Sequence, residues 1–201
     1  MKTKIIKGKP TEEELEEIVT VLDQDGLIVF PTDTVYGLAC NCYSKKGIEK
    51  IFQVKKRDHK KPINVLTDSL EKIKEIAYVS AKEEELIEKY MPGALTVILD
   101  KKENIPGILT AELNTVGVRI PKDDIALEIL RRVPYPLATT SVNESGESAG
   151  IQLSDFQELL EGKVEIMIDG GPSKLQVAST IIRVENNQIK VLREGSLKIE
   201  E

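Results

Sequence analysis

With one histidine and two cysteines in 201 residues, the chain has no set of four side chains from which a zinc site could be built. Cys40 and Cys42 lie two apart in a run that reads as a strand, so they project to one face and read as packing residues rather than as a redox pair. No apolar stretch is long enough to cross a bilayer, and the opening MKTKIIKGKPTEEELEE lacks the apolar segment of a signal peptide. A cytoplasmic protein with no membrane partner is therefore expected. Neither G-x-x-x-x-G-K-[ST] nor G-x-G-x-x-G is present, which leaves the common nucleotide-binding loops unsupported. There is no G-x-S-x-G elbow with a partner histidine, and no carboxylate cluster spaced for a dedicated metal cage.

What the chain does have is apolar content, 40% of its residues, and an uneven charge. The net charge is −6, yet residues 45–61 carry eight Lys or Arg against two acids, so the remainder stands at −12. Acidic runs such as 12–17 and 83–85 read as solvated helix faces, whereas the basic run needs a separate account. Thr11 followed by Glu14 is a capping-box start, and Leu15, Ile18, Val19 and Leu22 recur at helical spacing up to Gly26. Further helical patterns fall at Ile48/Ile51/Phe52, Leu86/Ile87/Tyr90, Ile125/Ala126/Ile129/Leu130 and Phe156/Leu159/Leu160. Strand-like runs lie at 5–6, 27–30, 63–66, 95–99, 116–120, 137–140, 164–168, 180–184 and 189–192, the last two joined by the turn Asn186–Asn187. Strands interleaved with helices, ending in a hairpin, predict an α/β fold with a twisted, open, mixed sheet and flanking helices. The length suits one compact domain over residues 1–201.

The stretch PTDTVYGL at 31–38 follows the apolar run 27–30 directly, and a strand core gives way there to hydroxyls, a carboxylate and glycine. Read as extended chain it puts Thr32, Thr34 and Tyr36 on one face and Asp33 and Val35 on the other, a strand edge arranged around a ligand; an ordinary turn is the plainer alternative. Lys55 continues the apolar face of Ile48, Ile51 and Phe52, which aims it inward, although a lysine at a rim also snorkels. Arg57 follows in KKRDHKKP, suited to a polyanion or to a solvated loop, and His59 there reads as exposed. In the strand 116–120, Val116, Val118 and Ile120 form an apolar face and leave Thr115, Gly117 and Arg119 opposite. Gly117 would let a ligand approach, and Arg119 suits a carboxylate or phosphate. The same count groups Thr139, Ser141 and Asn143, while Ser179 precedes one late strand and Arg193 ends the next. A set of cations and hydroxyls suits the positioning of anionic reactants better than covalent catalysis.

Taken in order, PTDTVYGL, Lys55-Lys56-Arg57, MPGALTVIL at 91–99, TVGVRIP at 115–121, Ser141-Val142-Asn143, DGGP at 169–172, Ser179-Thr180 and LREGS at 192–196 resemble the YrdC/YciO family, which includes the threonylcarbamoyl-adenylate synthases of tRNA modification. The similarity runs over nearly the whole chain. It implies a YrdC-like sheet enclosing a basic cavity in which L-threonine, bicarbonate and ATP give threonylcarbamoyl-AMP and pyrophosphate, with Mg²⁺ carried on the nucleotide and no dedicated protein metal site. Other tRNA-modification proteins then pass the group to adenosine 37 of tRNA. By the same resemblance Thr34, Arg119, Thr139 and Ser179 hold threonine, while Lys55, Arg57, Lys61, Thr115, Ser141, Asn143 and Arg193 surround ATP, with Lys55 and Arg57 the catalytic pair. It also implies that the further C-terminal domain of longer members is missing. Lys61 stands where many synthases have Asn, Leu66 where many have a threonine-contacting His, and Glu194 where Pro is frequent. The REG ending at 193–195 together with KKRD at 55–58 leans toward the YciO branch, and the basic segment with Lys61 and Leu66 supports the alternative of a YciO-like protein that binds tRNA or double-stranded RNA, or the ribosome, with little synthase activity.

Overall fold

The computed structural model describes residues 2–143 and 149–199. In chain order the elements are β1 (Lys4–Lys7), α1 (Glu12–Asp23), β2 (Ile28–Phe30), β3 (Gly37–Asn41), α2 (Lys45–Lys55), β4 (Asn64–Leu66), α3 (Leu70–Ile76), β5 (Ala77–Tyr78), α4 (Ala81–Tyr90), β6 (Leu95–Lys101), β7 (Thr115–Arg119), α5 (Asp124–Arg132), β8 (Leu137–Ser141), α6 (Gln157–Leu160), β9 (Ile166–Asp169), β10 (Thr180–Glu185) and β11 (Gln188–Arg193). The strands form one mixed sheet in the order β1-β9-β2-β3-β8-β4-β7-β6-β10-β11, with β5 paired to β6 off that path. The expected α/β fold with an open mixed sheet and flanking helices is what the chain adopts.

The helices start where the sequence provides a cap. Thr11 and Glu14 form the capping box of α1, Ser80 and Glu83 that of α4, and Asp123 accepts the Ala126 N–H at the start of α5. The turn Asn186–Asn187 has positive φ at both residues, as a tight hairpin needs, and joins the antiparallel β10 and β11. α3 and β5 carry too few residues to show a period, and neither was foreseen. The pattern at 156–160 yields only the single turn α6, after a 3₁₀ turn at Leu153–Asp155.

Two apolar clusters sit on opposite faces of the sheet, which is why β2 and β9 read as continuous apolar runs rather than as alternation. Val29, Leu38, Val65, Val97, Val118 and Met167 belong to one, with Ile48, Ile51 and Phe52 of α2 and Leu86 and Ile87 of α4. Buried Cys40 and Cys42 also pack there, and burial pushes both thiols up, away from reactivity. The other cluster joins Leu15, Ile18 and Leu22 of α1 and Ala126, Ile129 and Leu130 of α5 to Ile28, Phe30, Ala39, Leu66, Leu137, Ile166 and Ile168. It takes no residue from β7, β6, β10 or β11. On that face, the half of the sheet beyond β4 is left without apolar helical cover.

Register identifies what occupies the open half, because directly paired residues put their side chains on the same side. Ala39 of the α1/α5 face pairs with Thr139, Thr139 with Asn64, Leu66 with Arg119, and Gly117 with Ile98, two residues from Thr96. Thr139, Asn64, Leu66, Arg119 and Thr96 thus share one open face.

Candidate active site

A cavity of about 180 Å³ lies on this open face, room enough for a ligand of amino-acid size. Three guanidinium groups line it, those of Arg57, Arg119 and Arg193, together with the hydroxyls of Thr32, Thr34, Thr96, Thr139, Thr140, Ser141 and Ser179. Among the described residues no carboxylate lines it.

The residues 31–36 are not a strand. They form the loop between the antiparallel neighbours β2 and β3, closed by the pair Phe30 and Gly37, and this corrects the extended-chain expectation. The Thr32 and Thr34 hydroxyls stand 3.1 Å apart as expected, but Tyr36 sends its hydroxyl away, donating to Gly171 O at 2.7 Å and accepting from Gly170 N–H at 3.1 Å. Burial pushes that phenol up to about 12. Asp33, expected on a far face, is 4% exposed and forms an ion pair with Arg119, while also accepting the Lys122 N–H at 3.0 Å.

Arg119 is held on three sides. Its Nε donates to Gly93 O at 2.9 Å, one terminal nitrogen to Thr34 Oγ1 at 2.7 Å, and the other to Asp33 Oδ1. Burial lowers its pKa, and the Asp33 carboxylate opposes that shift. Arg193 donates through Nε and a terminal nitrogen to Ser179 O, at 3.2 and 2.7 Å, and Ser179 Oγ meets Thr96 Oγ1 at 2.8 Å. Arg57 is anchored on Lys61 O and Pro62 O, at 3.2 and 2.9 Å. Among the described residues only Arg119 of the three has a carboxylate partner. Two uncompensated cations at a cavity wall suit an anionic ligand.

The expected residues divide into two groups. Thr34, Arg57, Arg119, Thr139, Ser141, Ser179 and Arg193 all reach the cavity, whereas Lys55, Lys61, Thr115 and Asn143 do not line it. Lys55 does point inward, 4% exposed, but it donates to Ser141 O and to Asn143 Oδ1 at 2.9 Å, behind the cavity wall. Ser141 Oγ donates to the same Asn143 oxygen at 2.9 Å. Thr115 sits four residues from Arg119 along β7, roughly 13 Å at strand rise, opposite Asp100. Gly117 does not open the backbone to a ligand. A Cβ there would lie 2.3 Å from Asn64 Oδ1, so the glycine makes room for Asn64, which lines the cavity instead. Asn64, Thr96 and Asp33 escaped sequence reasoning; for Asp33 the signal was a carboxylate between two threonines directly after a strand core.

Burial, then repulsion from Arg57, brings the Lys55 ammonium down from 10.5 to about 7. The unfolded chain then binds more protons than the folded one between pH 7 and 10.5, so this lysine makes stability rise with pH in that window. Relative to Lys55→Met, wild-type protein is expected to gain on the order of 3 kcal/mol between pH 7 and 10 in denaturant melts. Parallel curves for the two proteins would show that Lys55 stays charged throughout.

An open-face cavity walled by guanidinium and hydroxyl groups on an α/β sheet suits small anionic ligands. The Sua5/YciO/YrdC family model, described as telomere recombination, matches residues 20–195, and the chain belongs to that family. A putative threonylcarbamoyl-AMP synthase of Methanocaldococcus jannaschii is 34% identical over 205 aligned residues, which cover all of this chain and 97% of that protein. The crystal structure of P. abyssi Sua5 complexed with L-threonine superposes with a TM-score of 0.92 at 32% identity, over 96% of this chain and 58% of that one. E. coli YciO superposes with a TM-score of 0.86 at 25% identity, over 96% and 95% of the two chains. This chain thus spans the M. jannaschii relative but little more than half of P. abyssi Sua5.

Proposed function

We propose that this chain is an L-threonylcarbamoyladenylate synthase, acting as a single YrdC-like domain over residues 1–201. Its threonine takes up bicarbonate carbon to form a carbamate with loss of water, and a carbamate oxygen then attacks the α-phosphorus of ATP. A P–O bond forms, the bond to pyrophosphate breaks, and threonylcarbamoyl-AMP results. The observation that carries the reading is the pairing of the guanidinium groups. Arg119, neutralised by Asp33 and joined to Thr34, suits a zwitterionic amino acid; Arg57 and Arg193, without a carboxylate partner among the described residues, suit a polyphosphate. The names of the synthase relatives and the threonine bound to P. abyssi Sua5 point the same way.

In this reading Thr34, Arg119, Thr139 and Ser179 hold threonine, and Arg57, Ser141 and Arg193 meet the nucleotide as it extends to the rim. Lys55 acts through Ser141 and Asn143, fixing them rather than touching phosphate. Lys61 offers Arg57 a carbonyl, and Thr115, at the far end of β7, is given no part. Mg²⁺ is read as entering with the ATP it accompanies, bridging phosphate oxygens. The product is a reactive mixed anhydride, and tRNA-modification proteins that transfer its acyl group to tRNA are the implied partners. The exposed Lys45, Lys46, Lys56, Lys60 and Lys61 support direct contact with RNA phosphates during that hand-over. No described helix is long and apolar enough to cross a membrane, in keeping with action in the cytoplasm.

Purified protein with ATP, L-threonine and bicarbonate should release pyrophosphate only when threonine is present, and the mixture should contain the adenylate by mass spectrometry. Arg57→Ala should raise KM for ATP by about 10-fold or more, the loss of one charge-assisted contact, and leave KM for threonine near its wild-type value. Pyrophosphate release that ignores threonine would rule the reading out.

A further inference from the structure

We infer that Asn64 holds the carbamate: its carboxamide pairs edge to edge with the N–H and one oxygen of the N-carboxylated amino acid, and leaves the other oxygen free to attack phosphorus. This rests on the synthase reading above and deepens it by giving one side chain a group that neither threonine nor ATP contains.

Strand β4 sets the place. The Pro62 carbonyl anchors Arg57 at 2.9 Å, Leu66 pairs with Arg119, and Asn64 stands midway, roughly 7 Å from Leu66 along the strand. Pro62, Asn64 and Leu66 all line the cavity, so Asn64 lies between the cation assigned to polyphosphate and the cation assigned to the amino acid. On either side it has Thr139 of β8 and Gly117 of β7. The Thr139 hydroxyl turns its proton back to Leu137 O at 3.1 Å, and Gly117 has no side chain, which leaves the Asn64 amide as the donor at this level of the face. Among the described residues no hydrogen bond engages that amide. Its Oδ1 fills the space over Gly117, 2.3 Å from where a Cβ would lie, on the open face of the sheet.

The chemistry of the intermediate matches this free amide. An N-carboxylated amino acid carries an N–H and a carboxylate oxygen side by side, one donor next to one acceptor. A primary carboxamide presents the complement, C=O next to N–H, so the two close a pair of parallel hydrogen bonds. Bicarbonate offers the same edge with O–H in place of N–H, and the amide therefore meets the carbon source before and after it joins nitrogen. The carbamate carbon lies three bonds from the amino-acid carboxylate carbon, about 4 Å away, so with the carboxylate on Arg119 the carbamate extends toward Asn64 and Arg57. With one oxygen held by Nδ2, the other forms the P–O bond to the α-phosphorus as the bond to pyrophosphate breaks. The N–H proton stays on nitrogen, accepted by Oδ1. A neutral amide orients the nucleophile without cancelling its charge.

Threonine-dependent pyrophosphate release, measured against bicarbonate in CO₂-depleted buffer, tests this, with L-threonine binding followed by isothermal titration in the absence of bicarbonate. Asn64→Leu, similar in shape but without hydrogen bonds, should raise the KM for bicarbonate by about 10-fold or more, the usual worth of a hydrogen bond to a charged group. The threonine Kd and the KM for ATP should stay within about 3-fold of wild type, because neither ligand carries the group that Asn64 reads. Asn64→Asp keeps the acceptor, loses the donor and sets a charge against the carbamate, so its KM for bicarbonate should rise further. Gly117→Ala leaves Asn64 in place but displaces its Oδ1, and the KM for bicarbonate should rise likewise; should Asn64→Leu fail to fold, this variant carries the test. A bicarbonate KM within about 3-fold of wild type in either folded variant overturns the inference, as does a rise matched by equal losses for threonine and ATP, the mark of a structural role. Wild-type protein that binds threonine and ATP yet makes no adenylate at saturating bicarbonate overturns the synthase reading beneath it, a distinct result.

Discussion

Arg119→Met is expected to lower stability by about 3–5 kcal/mol, and to lower the melting temperature by roughly 10 °C in a chain of this length. The cost does not come mainly from the lost contacts of the arginine. Arg119 and Asp33 are 6% and 4% exposed and paired with each other, so removing the cation strands a carboxylate in a place where water cannot solvate it. The double variant Arg119→Met/Asp33→Asn separates this cause from simple loss of packing. Its neutral amide oxygen still accepts the Lys122 N–H, no charge is left unpaired, and most of the lost stability should return. Threonine binding should not return with it, because the guanidinium that meets the carboxylate is gone. Thermal melts with and without threonine check both halves. If the double variant melts no higher than the single one, the pair is not what holds this loop to β7.

That pair also marks where the sequence stops being informative. The apolar runs at 27–30 and 164–168 and the cap at Thr11 are local signals, set by neighbours a few residues away, and the elements they predict are present. The inward aim of Lys55 was equally local, since a helix face is fixed by spacing. Its target was not: the Ser141 carbonyl lies 86 residues on, and only the packing of α2 against the sheet brings the two together. Likewise Asp33 and Arg119 are 86 residues apart, and Thr96 and Ser179 are 83 apart. Alternation within 115–119 correctly placed Gly117 and Arg119 on one face, but which neighbour would fill the gap at Gly117 depends on the register of β4 with β8 and β7, which no single strand encodes. Between the two readings of 31–36, strand edge and turn, the structure selects the turn for a related reason. Six residues rich in Thr and Val suit a strand by propensity, and the antiparallel pairing of β2 with β3 overrides that preference by demanding a turn.

A second large effect is expected at Gly195. The chain after β11 turns back along the start of β10: the Ser196 N–H donates to Ala178 O at 3.2 Å, and the Thr180 hydroxyl donates to Leu197 O at 2.6 Å. Gly195 crosses so close that a Cβ would lie 2.4 Å from Ala178 O, Ser179 C and Thr180 N, all of them main-chain atoms. No side chain can rotate away to relieve this, and β10 cannot retreat, because it is paired on both sides, to β6 and β11. In Gly195→Ala the returning segment must therefore lift. Overpacking of this kind costs about 1–3 kcal/mol, or several degrees of melting temperature. The functional cost should exceed the structural one, because Arg193 and Ser179 are two lining residues joined across this crossing by hydrogen bonds at 2.7 and 3.2 Å. Lifting the segment separates them, so binding of ATP and of threonine should both weaken, unlike in Arg57→Ala, where the ATP side alone responds. Gly195→Ala protein with wild-type melting temperature and both affinities intact would mean that the segment sits looser over the cavity than these contacts require.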